Sequence, residues 1–266
     1  MNKQNKPTSP PSYWIDSVNF IKYEKLSGDI DTDVAVIGGG IVGIVSAFML
    51  KQSGFKVTVL DENTILHGTT GHTTGKITAQ HDIIYSVLQN TMGLEKARLY
   101  ADANKTALLT ATDMINQFNI PCDFSMQDAY IFTQDVNKVQ NIKNEVETAS
   151  LLGFQSTYLE EIPLPMKIKA AVKFSGQAQF HPLKFLTEVA KLIPGGGSHI
   201  FENTKATEIA TGKGHYIIKT DVGHCIKAPN VVIATHYPFF SGNIPYSTKL
   251  FSSRSYAVGV TIKEKF

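Results

Sequence analysis

Residues 34–50 constrain this chain more than any other stretch. They carry no charged side chain, are mostly apolar, and are broken by Gly38-Gly39-Gly40 and again by Gly43. A bilayer-spanning helix needs about 20 apolar residues, and this stretch has seventeen (34 to 50 inclusive) with glycines inside it. It also follows a polar segment, so it does not read as a signal peptide. It reads instead as a buried parallel strand, a glycine turn and a buried helix. A parallel sheet is covered on both faces, which makes both flanks of such a unit apolar.

The neighbouring residues fit that reading. Residues 31–37 predict a strand, 41–53 a helix ended by Gly54, and 56–60 a second strand rich in β-branched residues. The turn has the pattern Gly38-x-Gly40-x-x-Gly43, with Ile41 as the first helical residue. The first glycine permits the tight turn, the second lets backbone approach a pyrophosphate, and the third lets helix and strand pack closely. Phosphate is then expected at the helix N-terminus, where unpaired N–H groups and the helix dipole favour negative charge. Asp61 closes the second strand 23 residues after Gly38, about the spacing of a carboxylate that binds ribose hydroxyls, and Glu62 is its neighbour. The apolar strand before the turn, the helix after it with a small Ala47 four residues past Gly43, and Asp61 together make a dinucleotide site.

Two features favour FAD over NAD. The second strand runs into Gly68-Thr69-Thr70-Gly71-His72-Thr73-Thr74-Gly75-Lys76, a loop dense in hydroxyls and backbone donors. A late run, 229–235, reads as a strand returning to the first sheet. An acidic Asp61 argues against NADP.

The rest of the chain is less eloquent. Residues 1–12 are polar, contain Pro7, Pro10 and Pro11, and predict a disordered start. Tyr13, Trp14, Ile15, Val18, Phe20 and Ile21 are expected to pack this extension onto the body. Helical periodicity runs over 81–118, broken near Gly93, and over 135–152, ended by Gly153; a further helix is expected at 182–192. Strand-like runs occur at 130–132, 168–174, 206–211, 214–220, 229–235 and 256–262. The Pro194–Gly197 run follows no strand and receives no phosphate role.

Composition narrows the partners. The 266 residues are 42% hydrophobic and 18% charged, with a net charge of +2. That balance, without a Lys/Arg run, gives no support to nucleic acid. The two cysteines, Cys122 and Cys225, have no metal spacing, and they are too few to hold an iron–sulfur cluster. They suit reduced thiols and a cytoplasmic location.

From Asp33 to about Ile262 the chain resembles the FAD-dependent oxidoreductases of the glycine/D-amino-acid oxidase superfamily. VAVIGGGIVGIVSA is similar to that family's N-terminal fingerprint, and GTTGHTTGK occupies the place of its flavin loop. FHPLKFLTEVA resembles its proline-led helix. FENTKATEI resembles the strand whose backbone, here at Ala206, contacts adenine. VVIATHYPF resembles its "ATG" strand, with Ala234 and Thr235 retained and His236 in place of the usual glycine. PSYWIDS with GTTGHTTGKITAQH is similar to a bacterial subgroup that often carries a Rieske domain after the flavin module.

The resemblance implies an α/β fold: a Rossmann-like FAD-binding domain with a parallel sheet plus a β-rich substrate region, incomplete at the C-terminus. It implies an N-terminal extension (1–30) and a flavin module (31–266), with FAD-binding parts near 31–80 and 182–240 and substrate-side parts at 81–181 and 241–266. It implies hydride transfer from the carbon beside an amine or amino-acid nitrogen to flavin N5. It further implies that the flavin module continues beyond this chain, so a flavin-binding fragment without turnover is the alternative to an active enzyme. An NAD-linked dehydrogenase is a third reading.

His72 aligns with a position that holds covalently attached flavin in dimethylglycine- and sarcosine-dehydrogenase-like relatives and an arginine in others. Lys76 is a candidate cation near flavin N1 and C2=O, and Arg254 a candidate for a substrate carboxylate. His81 and His181 read as structural. The electron acceptor is left open among oxygen, a quinone and an iron–sulfur centre outside this chain.

Overall fold

The computed structural model describes residues 12–239, 246–251 and 253. In chain order its elements are α1 (Tyr13–Asp16), β1 (Ile30–Asp31), β2 (Val34–Ile37), α2 (Ile41–Gln52), β3 (Val57–Leu60), β4 (Lys76–Ile77), α3 (Tyr85–Met92), α4 (Leu94–Gln117), β5 (Ser125–Thr133), α5 (Val139–Leu151), β6 (Ser156–Leu159), β7 (Ala170–Gln179), α6 (Pro182–Lys191), β8 (His199–Phe201), β9 (Ala206–Thr211), β10 (Tyr216–Thr220), β11 (Cys225–Ala228) and β12 (Asn230–Ile233). Short 3-10 turns lie at Thr70–His72, Val136–Lys138 and Tyr246–Lys249. The expected strand at 256–262 and Arg254 lie outside the described residues, as does most of the proline-rich start.

The chain contacts divide into two units, one from 1–74 with 182–254, the other centred on 75–181. The first unit holds a parallel sheet in the order β12-β2-β3-β8. All four residues of β2 and all four of β3 are buried. This is why the sequence shows apolar runs there instead of alternation, and each fully buried Val, Ile or Leu contributes about 1.5–3 kcal/mol. A second sheet, β1-β11-β10-β9, shares a core with the first. Ala35, Ile37 and Leu60 pack with Ala206, Ile209, Ile218 and Ile226.

The expected strand over 31–37 is two strands in different sheets. β1 runs parallel to β11, whereas β2 lies between β3 and β12. The switch happens at Thr32 and Asp33, whose N–H groups donate to the carbonyls of Lys227 and Lys56. The late run does return to the first sheet, as β12 parallel to β2.

The second unit is an antiparallel sheet, β4-β7-β5 with β6 also on β7. α3 and α5 pack on it around Tyr85, Ile142, Leu152, Val172 and Phe174. The helical stretch over 81–118 breaks at Gly93 with φ +85°, a conformation that favours glycine. β7 is much longer than the run at 168–174. It continues through Gly176 (φ +72°), opposite a register shift at Gln127/Ala129. A glycine at a bulge interrupts the sequence pattern of a strand without ending the strand.

Candidate functional site

A cavity of about 750 Å³ opens at the C-terminal edge of the parallel sheet, within the first unit. Ile37 and Gly38 end β2, Leu60 and Asp61 end β3, and Ala234 and Thr235 follow β12; all six line it. Ligands of open α/β sheets bind at this edge.

The glycine turn is shaped by backbone meeting backbone. A Cβ on Gly38 (φ +106°) would lie 2.7 Å from the Ala234 carbonyl oxygen, and one on Gly43 would lie 1.8 Å from the Gly38 carbonyl oxygen. Gly39, an ungoverned position in the sequence pattern, is equally obligatory, because a Cβ there would meet Ile65 Cγ2 at 2.4 Å. Gly38 and Gly40 line the cavity. Gly43 does not line it; its role is the close passage of α2 over the turn.

Gly40 caps α2 and has no side chain to satisfy the helix's first amides. Thr70 supplies part of the cap from another loop: its Oγ1 accepts from the Ile41 N–H at 3.0 Å. Among the described residues the N–H groups of Gly40, Val42 and Gly43 have no acceptor. They are ready donors for an anion at a positive helix end.

Asp61 is half-buried, and each carboxylate oxygen already accepts one amide, from Gly39 N–H at 2.8 Å and from Asn63 N–H at 2.9 Å. A carboxylate has about four acceptor sites, so capacity remains. Glu62 also lines the cavity, but its Oε2 is 2.9 Å from Lys205 Nζ. That hydrogen bond and the charge of Glu62 raise the Lys205 pKa above the usual lysine value.

Thr69, Thr70 and Thr73 line the cavity. Thr69 Oγ1 lies 3.3 Å from His236 Nδ1, so the histidine that departs from the family pattern meets the threonine loop across the cavity. Ala206, at the start of β9, also lines it. Thr235 Oγ1 is buried and has no partner among the described residues, an unsatisfied group beside an open space.

Three other expected contacts are not found in the lining. His72 is exposed, and its Nδ1 donates to the Gly68 carbonyl at 2.6 Å within the 3-10 turn. That bond folds the ring back on its own loop. Thr74 is exposed and lies outside the lining. Lys76 begins β4 in the second unit, paired with Gln179. Lining residues that the sequence did not single out include Asn63, Leu66, His67, Thr204, Lys205 and Tyr237. Thr204 and Lys205 adjoin Ala206, and extending that strand backwards by two residues would have found them.

The volume suits a cofactor-sized ligand, and free helix amides and a carboxylate with spare lone pairs meet in one cavity. These groups fit a dinucleotide.

Comparison with known proteins decides which kind. The family model described as FAD dependent oxidoreductase matches residues 33–265. The chain belongs to this family. Its family cofactor is FAD, and its mixed α/β fold with a parallel sheet is the fold of the family's structures. The chain is 36% identical over 265 residues to the "putative Rieske 2Fe-2S iron-sulfur protein YhfW" of Bacillus subtilis (strain 168), covering 100% of this chain and 52% of that one. It is 23% identical to gamma-glutamylputrescine oxidoreductase of Escherichia coli (strain K12), covering 74% of this chain and 48% of that one. The crystal structure of glycine oxidase from Geobacillus kaustophilus superposes with a TM-score of 0.62 at 19% identity, covering 77% of this chain and 55% of that one. This family member thus spans about half the length of the curated relatives it matches.

Proposed function

We propose that the chain binds FAD in the 750 Å³ cavity and serves an oxidoreductase that oxidises a C–N bond of an amine or amino acid. The observation that carries the reading is the set of unaccepted N–H groups at Gly40, Val42 and Gly43, in a family whose cofactor is FAD. The pyrophosphate would lie at that helix end, held by the amides and the dipole. Asp61 would accept the ribose hydroxyls. Glu62 is left to Lys205, so it shapes the mouth without binding the ribose. Ala206 and its neighbour Thr204 would border the adenine. Ala234 and Thr235 would border the other side. Thr69 and Thr73 would offer hydroxyls to the cofactor, while the oxygen of Thr70 already caps Ile41 and contributes mainly by fixing the turn.

FAD, when bound, accepts at its N5 the hydride from the carbon next to nitrogen. The protein's part is to bind, orient and exclude water. His72, bonded back to Gly68, is read as a loop-stabilising residue with no covalent flavin link. Acid precipitation should release all the yellow colour to the supernatant; colour retained in the pellet would contradict this. Lys76 receives no flavin role.

The electron acceptor is proposed to be an iron–sulfur centre carried outside residues 1–266, supported by the name of the Bacillus subtilis relative. No group of three or more metal-ligating side chains occurs among the described residues. No helix among them is long and apolar enough to cross a membrane, and two cysteines so far apart in the sequence, Cys122 and Cys225, suit a cytoplasmic setting.

The test is anaerobic titration of the FAD-loaded chain with a panel of primary amines, N-methyl amines and amino acids. Bleaching of the flavin by a member of the panel supports C–N oxidation. Bound flavin that none of them bleaches supports flavin binding without turnover.

A further inference from the structure

The extension before the flavin module meets the cavity loop at a series of points. Ser12 Oγ donates to the Gly71 carbonyl. The Trp14 indole N–H donates to the Thr73 carbonyl at 2.7 Å. Ile15 fills the space beside Gly71, so closely that a Cβ on that glycine would lie 2.7 Å from Ile15 Cδ1. Phe20 packs on His67 with ring centroids 4.7 Å apart. The buried Glu202 then ties both segments together: its Oε2 accepts from the Tyr23 N–H at 3.1 Å and its Oε1 from the Ile65 N–H at 3.0 Å.

The loop so held is the one that shapes the cavity. His67, Thr70 and Thr73 line it, and Thr70 also caps α2. Its regular structure is limited to a 3-10 turn over Thr70–His72, so contacts from outside the loop carry much of its order. None of residues 12–23 lines the cavity, so the extension meets the loop at groups other than those that border the cavity.

We propose that Ser12–Tyr23 is a strap that holds residues 65–73 in the conformation that receives FAD, with Ser12 and Trp14 as positioning residues. The inference rests on FAD occupying the cavity. A loop that is ordered before binding costs less to fix on binding, so the strap acts on cofactor affinity. It touches no reacting atom.

The experiment uses the 266-residue chain and its variants Trp14→Phe, Trp14→Ala and Ser12→Ala/Trp14→Phe. Trp14→Phe keeps an aromatic body while it removes the indole donor and part of the ring. Two readouts are taken: backbone hydrogen exchange of 65–73 without FAD, and the FAD dissociation constant. The strap predicts faster exchange confined to 65–73 with β2 and β3 unchanged. It also predicts FAD binding about fivefold weaker in Trp14→Phe and more than tenfold weaker in the double variant. Trp14→Ala should exceed Trp14→Phe in both; should it fail to fold, Trp14→Phe still decides. Unchanged exchange in 65–73, or unchanged FAD affinity in a parent chain that binds FAD, overturns the strap. A parent chain that takes up no FAD overturns the reading of the cavity, and the exchange measurement then judges the mechanical link by itself.

Discussion

Asp61 and Glu145 each hold backbone amides on both carboxylate oxygens, one in each unit. Glu145, on α5, is fully buried. It accepts from Ile84, Tyr85 and Ser86 N–H at 3.1, 3.0 and 2.8 Å, closing the N-terminus of α3, which has no cap of its own. Among the described residues Asp61 accepts from only Gly39 and Asn63, and the helix beside it keeps three amides unanswered. Both helices lack a local side-chain cap. In the second unit a buried carboxylate answers the three amides from Ile84 to Ser86 and the group is structural. In the first unit Thr70 answers one amide, and Gly40 and Val42, whose amides are unanswered, line a cavity. Sites lie where a fold leaves its polar groups unfinished.

The most severe way to break this contrast is Gly43→Ala. Its Cβ would lie 1.8 Å from the Gly38 carbonyl oxygen. The helix must move off the turn, at a cost of about 3 kcal/mol, and FAD uptake should fall at least a hundredfold. Thermal unfolding and FAD titration check this. Glu145→Ala should cost about 3 kcal/mol in urea unfolding by stranding buried amides, with FAD affinity of the folded protein unchanged. A parallel loss of affinity would show that the second carboxylate is not purely structural.

Asp61→Asn should weaken FAD binding about tenfold by removing charge-assisted acceptance, with little change in melting temperature. A pH series sharpens the picture of the strap. Burial, then the charge of Glu202, pushes the Tyr23 phenol up to about 12 from 10.0. Between those values the folded chain keeps a proton that the unfolded chain has lost. Stability is therefore full below pH 10 and declines as pH climbs towards 12. Tyr23→Phe should flatten that decline in a denaturation series. The smallest effect is expected from Glu62→Gln, at most about a twofold change in FAD affinity, since its pair with Lys205 is exposed.

The glycine turn and its strands were legible because their pattern is local: Gly43 answers Gly38 within one βαβ unit, and β2 and β3 are apolar throughout, while the partners that crowd Gly38 and Gly40, Ala234 and Thr70, lie far along the chain. Thr70 was legible as a loop threonine but not as the cap of α2, because that bond joins residues 29 positions apart. His72 looked the strongest loop residue by chemistry, and a single bond to Gly68 turns it back on its own loop. β6 and β8 were missed since short strands take their order from sheet partners. The split of residues 30–37 between two sheets also depends on distant carbonyls, at Lys56 and Lys227.

The central claim is that the unanswered amides of α2 make the cavity an FAD site. Equilibrium dialysis of the purified chain against FAD, followed by the visible spectrum of the retained protein, tests it most directly. One FAD per chain with resolved flavin bands is expected, lost in Gly43→Ala and retained in Glu145→Ala at temperatures where that variant is folded. No retained flavin in the parent chain, or equal retention in Gly43→Ala, would contradict it.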